Sequence, residues 1–149
     1  MDYYSMSRSN TFKTKNNKLV ERMFKHIGFD ESFSSDEQGV VVAGYDTASE
    51  LDEFEVIYLQ DGTIAAYEIN YNDYEGDEYD DCKRINFVDW LQSMINDDTE
   101  IIIKHIGYEG LRYLDSWAEY ISKTKYRVIE FSSLLIKTIE GIRLQPDED

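Results

Sequence analysis

The densest chemistry in this sequence is carboxylate. Asp73, Glu75, Asp77, Glu78, Asp80 and Asp81 place six acids in nine residues, with Tyr74 and Tyr79 among them. Asp46, Glu50, Asp52, Glu53 and Glu55 form a second acidic group upstream. Hard cations take several oxygen ligands, so a calcium loop is one use for such a run. The EF-hand spacing needs Gly at the sixth position and Glu at the twelfth. Counted from Asp73, those places hold Glu78 and Arg84, which argues against it. Paired acids can also do acid–base work, but their separation belongs to the fold and is not written in the sequence. A third use is imitation of a nucleic-acid backbone. Carboxylates at i and i+2 of an extended strand lie about 6.6 Å apart on one side, and DNA carries one charge per ~3.4 Å along each strand. A groove lined with Lys and Arg accepts either array. Tyrosines among the acids add rigid contact area with a polar tip. A solvated acidic loop without a task is the plain alternative.

Other reactive residues are sparse. His26 falls near the end of an amphipathic stretch and His105 in a β-like one, and each reads as a surface or core-edge histidine. No G-x-S-x-G or H-E-x-x-H motif is present, and the eight glycines form no phosphate-binding loop. The single Cys82 permits no internal disulfide and no multi-cysteine zinc site, which fits a reducing compartment. The expectation is therefore a protein that is not an enzyme, with no cofactor and no metal.

Charge sharpens the choice of partner. The 149 residues carry 31 acids against 15 Lys and Arg, a formal charge of −16. Residues 1–25 hold six cations and two acids; residues 26–82 hold seventeen acids and no Lys or Arg; residues 83–149 hold nine cations and twelve acids. Such a chain has few cations with which to release phosphate counterions, so direct nucleic-acid binding is not expected. Anionic membrane surfaces are disfavoured for the same reason. Soluble surfaces normally intersperse the two signs. A 57-residue block of one sign reads as a face built to meet positive charge.

The elements that must carry these residues follow from periodicity. With 42% hydrophobic and 14% aromatic residues, the chain has the means to build a core. Residues 1–16 are polar, basic and aperiodic, and read as a flexible arm. Val20, Phe24 and Ile27 predict a helix over about 17–28, stopped by Gly28. Strands are expected at Val40–Val42, at 54–59 and at 64–71, the last two joined by an Asp61-Gly62 hairpin turn. Asn86 reads as the N-cap of a second helix that buries Phe87, Trp90, Leu91 and Met94. Ile101–Ile103 predicts a strand. The stretch 111–122 suits strand or helix. Gly44-Tyr45-Asp46 and Gly107-Tyr108-Glu109 lie 63 residues apart, and the same offset maps Phe54 onto Trp117, which favours strand. Tyr126–Phe131 is another strand. Ser132 caps a third helix with Leu135, Ile139 and Ile142 inward, ending before Pro146. The expectation is an α+β fold: a pseudo-duplicated αβββαβββα domain over 17–145, mainly antiparallel, with 146–149 as an acidic tail.

The high negative charge, small size and acid/tyrosine run YNDYEGDEYDD resemble the DNA-mimic inhibitors of phages and other mobile elements, the anti-CRISPR and anti-restriction proteins. The opening SRSNTFKTKN is similar to small phage proteins. These inhibitors share no common fold or motif, so the resemblance implies a class of action and assigns no site residue. It implies a cytoplasmic, non-enzymatic protein that occupies the basic channel of a host nuclease. The basic arm and the near-balanced C-terminal third depart from a pure mimic. The partner-binding face expected on charge grounds comprises Asp46, Glu50, Asp52, Glu53, Glu55 and the run from Asp73 to Asp81, with Tyr74 and Tyr79. An immunity or antitoxin protein that neutralises a basic toxin follows from the same charge logic.

Overall fold

Alternation of inward and outward side chains builds the main sheet. A computed structural model describes residues 4–45, 49–58, 64–70, 83–109 and 113–146. In the strand Ile101–Glu109, Ile101, Ile103 and His105 are buried while Ile102, Lys104 and Ile106 are exposed. The strands in chain order are β1 (Tyr4–Ser9), β2 (Phe33–Ser35), β3 (Gly39–Val41), β4 (Ala43–Tyr45), β5 (Phe54–Tyr58), β6 (Ile64–Asn70), β7 (Lys83–Asn86), β8 (Ile101–Glu109), β9 (Tyr113–Ile121) and β10 (Tyr126–Glu130). Among the described residues three helices intervene: α1 (Asn17–His26), α2 (Phe87–Ser93) and α3 (Phe131–Arg143), with a short 3₁₀ turn, η1, at Leu51–Glu53. A five-stranded sheet runs β10-β9-β8-β1-β4, a three-stranded one β6-β5-β7, and β2 pairs with β3. Every strand pairing among the described residues is antiparallel. The fold is α+β.

Two side-chain caps start the buried helices. Asn16 accepts from the Leu19 N–H at 3.2 Å, and α1 buries Val20, Met23 and Phe24. Gly28 takes the left-handed conformation just past its end, at φ 111°. Asn86 accepts from the Val88 N–H at 2.9 Å, and α2 buries Phe87, Val88, Trp90 and Leu91. The core lies between these helices and the sheets. The Phe24 ring sits edge-on to Phe29 at 5.4 Å and to Phe87 at 5.2 Å.

Three expectations are corrected. The flexible arm over 1–16 is a strand at Tyr4–Ser9, hydrogen-bonded between β4 and β8, and Phe12 beyond it is buried. The sequence YSMSRS has little β propensity, and its place is fixed by distant partners. The order αβββαβββα holds only for the second half. Among the described residues six strands lie between α1 and α2 instead of three, because β2 and β4 are too short, and β7 too polar, to show a period. Finally, α3 starts at Phe131 without a side-chain cap from Ser132, and none of its residues is buried. Leu135 and Ile142 are exposed and Ile139 is half-buried. The expected strand over 111–122 is β9. The Asp61-Gly62 turn and residues 147–149 lie outside the described residues.

Candidate functional site

Of the acids expected on the partner-binding face, those that the structure describes lie at η1 and on the adjoining β5. Glu50 is half-buried, Asp52 and Glu53 are exposed, and Glu55 is half-buried on β5. Leu51 anchors the turn because its side chain is fully buried in the core. The Glu53 N–H donates to the Glu50 carbonyl at 3.1 Å, and the Asn86 side-chain amide donates to the Asp52 carbonyl at 2.9 Å. The turn is thus pinned from below and from the start of α2. Partial burial raises the Glu50 pKa, and the neighbouring charges of Asp52, Glu119 and Glu53 raise it further. Carboxylates crowd this ledge closely enough to repel one another. Asp46, Asp73, Tyr74, Glu75, Asp77, Glu78, Tyr79, Asp80 and Asp81 lie outside the described residues.

Beneath the ledge runs a buried polar network. His105 on β8 is 3% exposed and Glu119 on β9 is 0% exposed. His105 Nδ1 meets Ser7 Oγ of β1 at 2.6 Å, and Nε2 meets Glu119 Oε1 at 2.9 Å. Glu119 Oε2 accepts from the Leu51 N–H at 2.8 Å and from the Tyr126 hydroxyl at 2.6 Å. One tautomer serves the whole chain: the Ser7 hydroxyl donates to Nδ1 and Nε2–H donates to Glu119. The imidazole stacks on Trp117 with centroids 3.8 Å apart and planes 12° from parallel. Burial pushes the Tyr126 hydroxyl pKa well above its ordinary value, and the Glu119 charge adds to the shift. The network therefore ties β1, β8, β9, β10 and η1 together through one carboxyl.

Serine, histidine and glutamate in that order have the connectivity of a hydrolytic triad. Here Ser7 is 4% exposed and its hydroxyl points at the ring inside the fold. What the geometry shows is a clamp that ties β1, β8 and β9 together through their side chains. The periodicity around His105 carried a signal for it, because Ile101, Ile103 and His105 share the inward register. The reading of His105 as a surface or core-edge residue is corrected to a fully buried one. Glu119 and Ser7 gave no local signal. Among the described residues no group of three or more His, Cys, Asp or Glu is placed to hold a metal ion. No helix among them is long and apolar enough to cross a membrane. Comparison with protein-family models, curated proteins and solved structures finds no match to this chain.

Proposed function

We propose that this chain is a non-enzymatic inhibitor that presents an acidic face to the basic nucleic-acid-binding channel of a host defence nuclease, in the manner of the phage anti-CRISPR and anti-restriction proteins. The observation that carries this reading is the ledge of Glu50, Asp52 and Glu53. Three carboxylates occupy one pinned turn, and the Glu50 pKa is held up first by partial burial and then by the charges of Asp52, Glu119 and Glu53. Mutual repulsion on a surface weakens the fold that keeps it. A cationic partner relieves that repulsion and converts it into binding. Single exposed ion pairs contribute only about 0–1 kcal/mol, so the ledge acts together with the rest of the anionic block. Association is steered and fast, and it weakens with salt. Its place of action is the host cytoplasm.

The test is affinity capture from bacterial lysate at low and high salt, with a variant carrying Asp52→Lys, Glu53→Lys and Glu55→Lys. The native chain captures a basic nucleic-acid-processing enzyme at low salt and inhibits it. The triple variant keeps its circular dichroism spectrum and loses inhibition at least tenfold. Undiminished inhibition by the triple variant removes the ledge as the interface. Selective capture of a single toxin in place of a defence enzyme replaces the inhibitor reading with an immunity protein.

A further inference from the structure

The molecule also carries a cationic surface, and it lies on α1. Residues 1–25 hold six cations and two acids in a chain of net charge −16, so the whole-chain charge averages over regions of opposite sign. Val20, Met23 and Phe24 are buried, which seats one face of α1 in the core. Lys18, Arg22 and Lys25 are exposed. Side chains at i, i+4 and i+7 share one face of a helix, and these three line a single groove of about 620 Å³. Glu21 lines it with them, and its carboxylate lies 3.5 Å from Lys25 Nζ. Among the described residues no ion pair engages Lys18 or Arg22. Lys13 and Lys15 are exposed on the segment that leads into the helix.

Positive charge is placed here against the preference of the helix. Lys18 stands in the first turn, where the helix dipole disfavours a cation, and no acid occupies that turn. Lys18 and Arg22 are like charges one turn apart, a pairing that destabilises a helix. An anion in the groove relieves both. Spacing selects its form. From Lys18 to Lys25 the helix axis advances about 10.5 Å. A DNA strand carries one charge per ~3.4 Å of axis, so it offers about three phosphates over that length. Two other anionic partners fit less well. A helix that lies on an anionic membrane needs an apolar face for the acyl boundary, and that of α1 is buried in the core. Single-stranded nucleic acid is held by stacking on aromatic side chains, and among the described residues none lines the groove.

We infer that the α1 groove is a contact site for the phosphate backbone of a nucleic-acid duplex, with Lys18, Arg22 and Lys25 each meeting a phosphate. The Arg22 guanidinium can grip two phosphate oxygens through parallel N–H groups, while the two lysines act as point charges. Backbone contacts position a protein on a duplex and carry no sequence information, so unrelated sequences bind alike. The acids elsewhere in the chain repel the duplex. Charges farther from it than the Debye length, about 8 Å at physiological salt, are screened, whereas the groove contacts are direct.

Fluorescence anisotropy of a short labelled DNA duplex, titrated with the full chain across a salt series, tests this. The native chain should bind two duplexes of unrelated sequence alike, with an affinity that falls as salt rises. A Lys18→Gln, Arg22→Gln double variant should bind at least tenfold more weakly. Its slope of log affinity against log salt should be shallower by about two, one for each lost phosphate contact. A Lys137→Gln, Arg143→Gln double variant changes the net charge equally on the exposed surface of α3 and should bind as the native chain does. Far-ultraviolet circular dichroism checks that both variants fold. No duplex binding by the native chain overturns the inference. So does equal weakening by the two double variants, which would trace binding to net charge, or a preference for one sequence. Binding to phosphatidylserine vesicles in place of the duplex would overturn it in favour of a membrane. The assay contains no nuclease, so these outcomes are independent of whether the acidic ledge binds one.

Discussion

The clamp around Glu119 and the helix α3 invert the usual placement of residues. In the clamp, Ser7, His105 and Glu119 are polar and lie inside the protein. In α3, Leu134, Leu135, Ile136 and Ile142 are apolar and lie in water. The first is tolerable because its polar atoms are partnered, and no buried side-chain N or O among the described residues lacks a hydrogen bond. The second has no such internal compensation. Burial here follows which groups find partners within one copy of the chain, and side-chain polarity alone would have sorted both regions wrongly.

Breaking the clamp should have the largest effect. Glu119→Ala removes the acceptor for His105, Leu51 and Tyr126 at once and leaves the first two donors buried and the Tyr126 hydroxyl half-buried. A loss of about 3–5 kcal/mol is expected from urea unfolding. Glu119→Gln should cost less, because its amide oxygen can still accept from Leu51 and Tyr126. The imidazole must then adopt the other tautomer to meet the amide N–H, and nitrogen NMR shifts of His105 would show that change. The same measurements sharpen the contrast with α3. Leu135→Gln should move stability by no more than about 0.5 kcal/mol, against about 2–5 kcal/mol for Leu91→Ala in the core. A large loss at Leu135 would mean that α3 is buried after all.

The smallest effect concerns the ledge itself. The folded-state pKa of Glu50 lies above the ordinary carboxylate value, so the folded state holds its proton more tightly than the unfolded chain. That contribution to stability is complete below the unfolded pKa and is lost as pH rises through the folded one. Glu50→Gln has no such titration. It should be more stable than the native protein at pH 7, by up to about 0.5 kcal/mol at this partly exposed site. The difference should close as the pH falls into the range where carboxylates are protonated. Thermal melts across pH measure it, and a Glu50→Gln variant less stable at pH 7 would contradict repulsion on the ledge.

Local signals made some of this legible in the sequence. Asn86 and the stripe Phe87, Trp90, Leu91 and Met94 announced α2, because a cap and a 3.6-residue period are both short-range. The β-branched run Ile101–Ile103 announced β8 for the same reason, and the 63-residue offset favoured strand over 111–122. What escaped was set by long-range pairing. Nothing within YSMSRS reveals that it lies between two other strands, and nothing near Glu119 points to Ser7 or Leu51. In α3, the stripe of Leu135, Ile139 and Ile142 correctly signalled a helix. A stripe shows which face is apolar, but it cannot show what covers that face. Among the acids expected to share a face, Glu50, Asp52, Glu53 and Glu55 are neighbours in the sequence itself. The sequence could not show that Leu51 holds them down through a carboxyl 68 residues away.

The position of β1 has a consequence for the order of assembly. Ser7 and His105 are 98 residues apart, so the middle of the main sheet is closed by one of the longest loops the chain can make. The hairpin β9–β10 needs only the Lys123-Thr124 turn to form. Loop-closure entropy makes such local pairings early and distant ones late. Folding therefore ends with a docking: β8–β9–β10 and the closer β1–β4 pair form first, and β1 then closes against β8. Pulse-labelled hydrogen exchange should find the β9 and β10 amides protected before those of Met6 and Arg8. Simultaneous protection would show a sheet that closes in a single step.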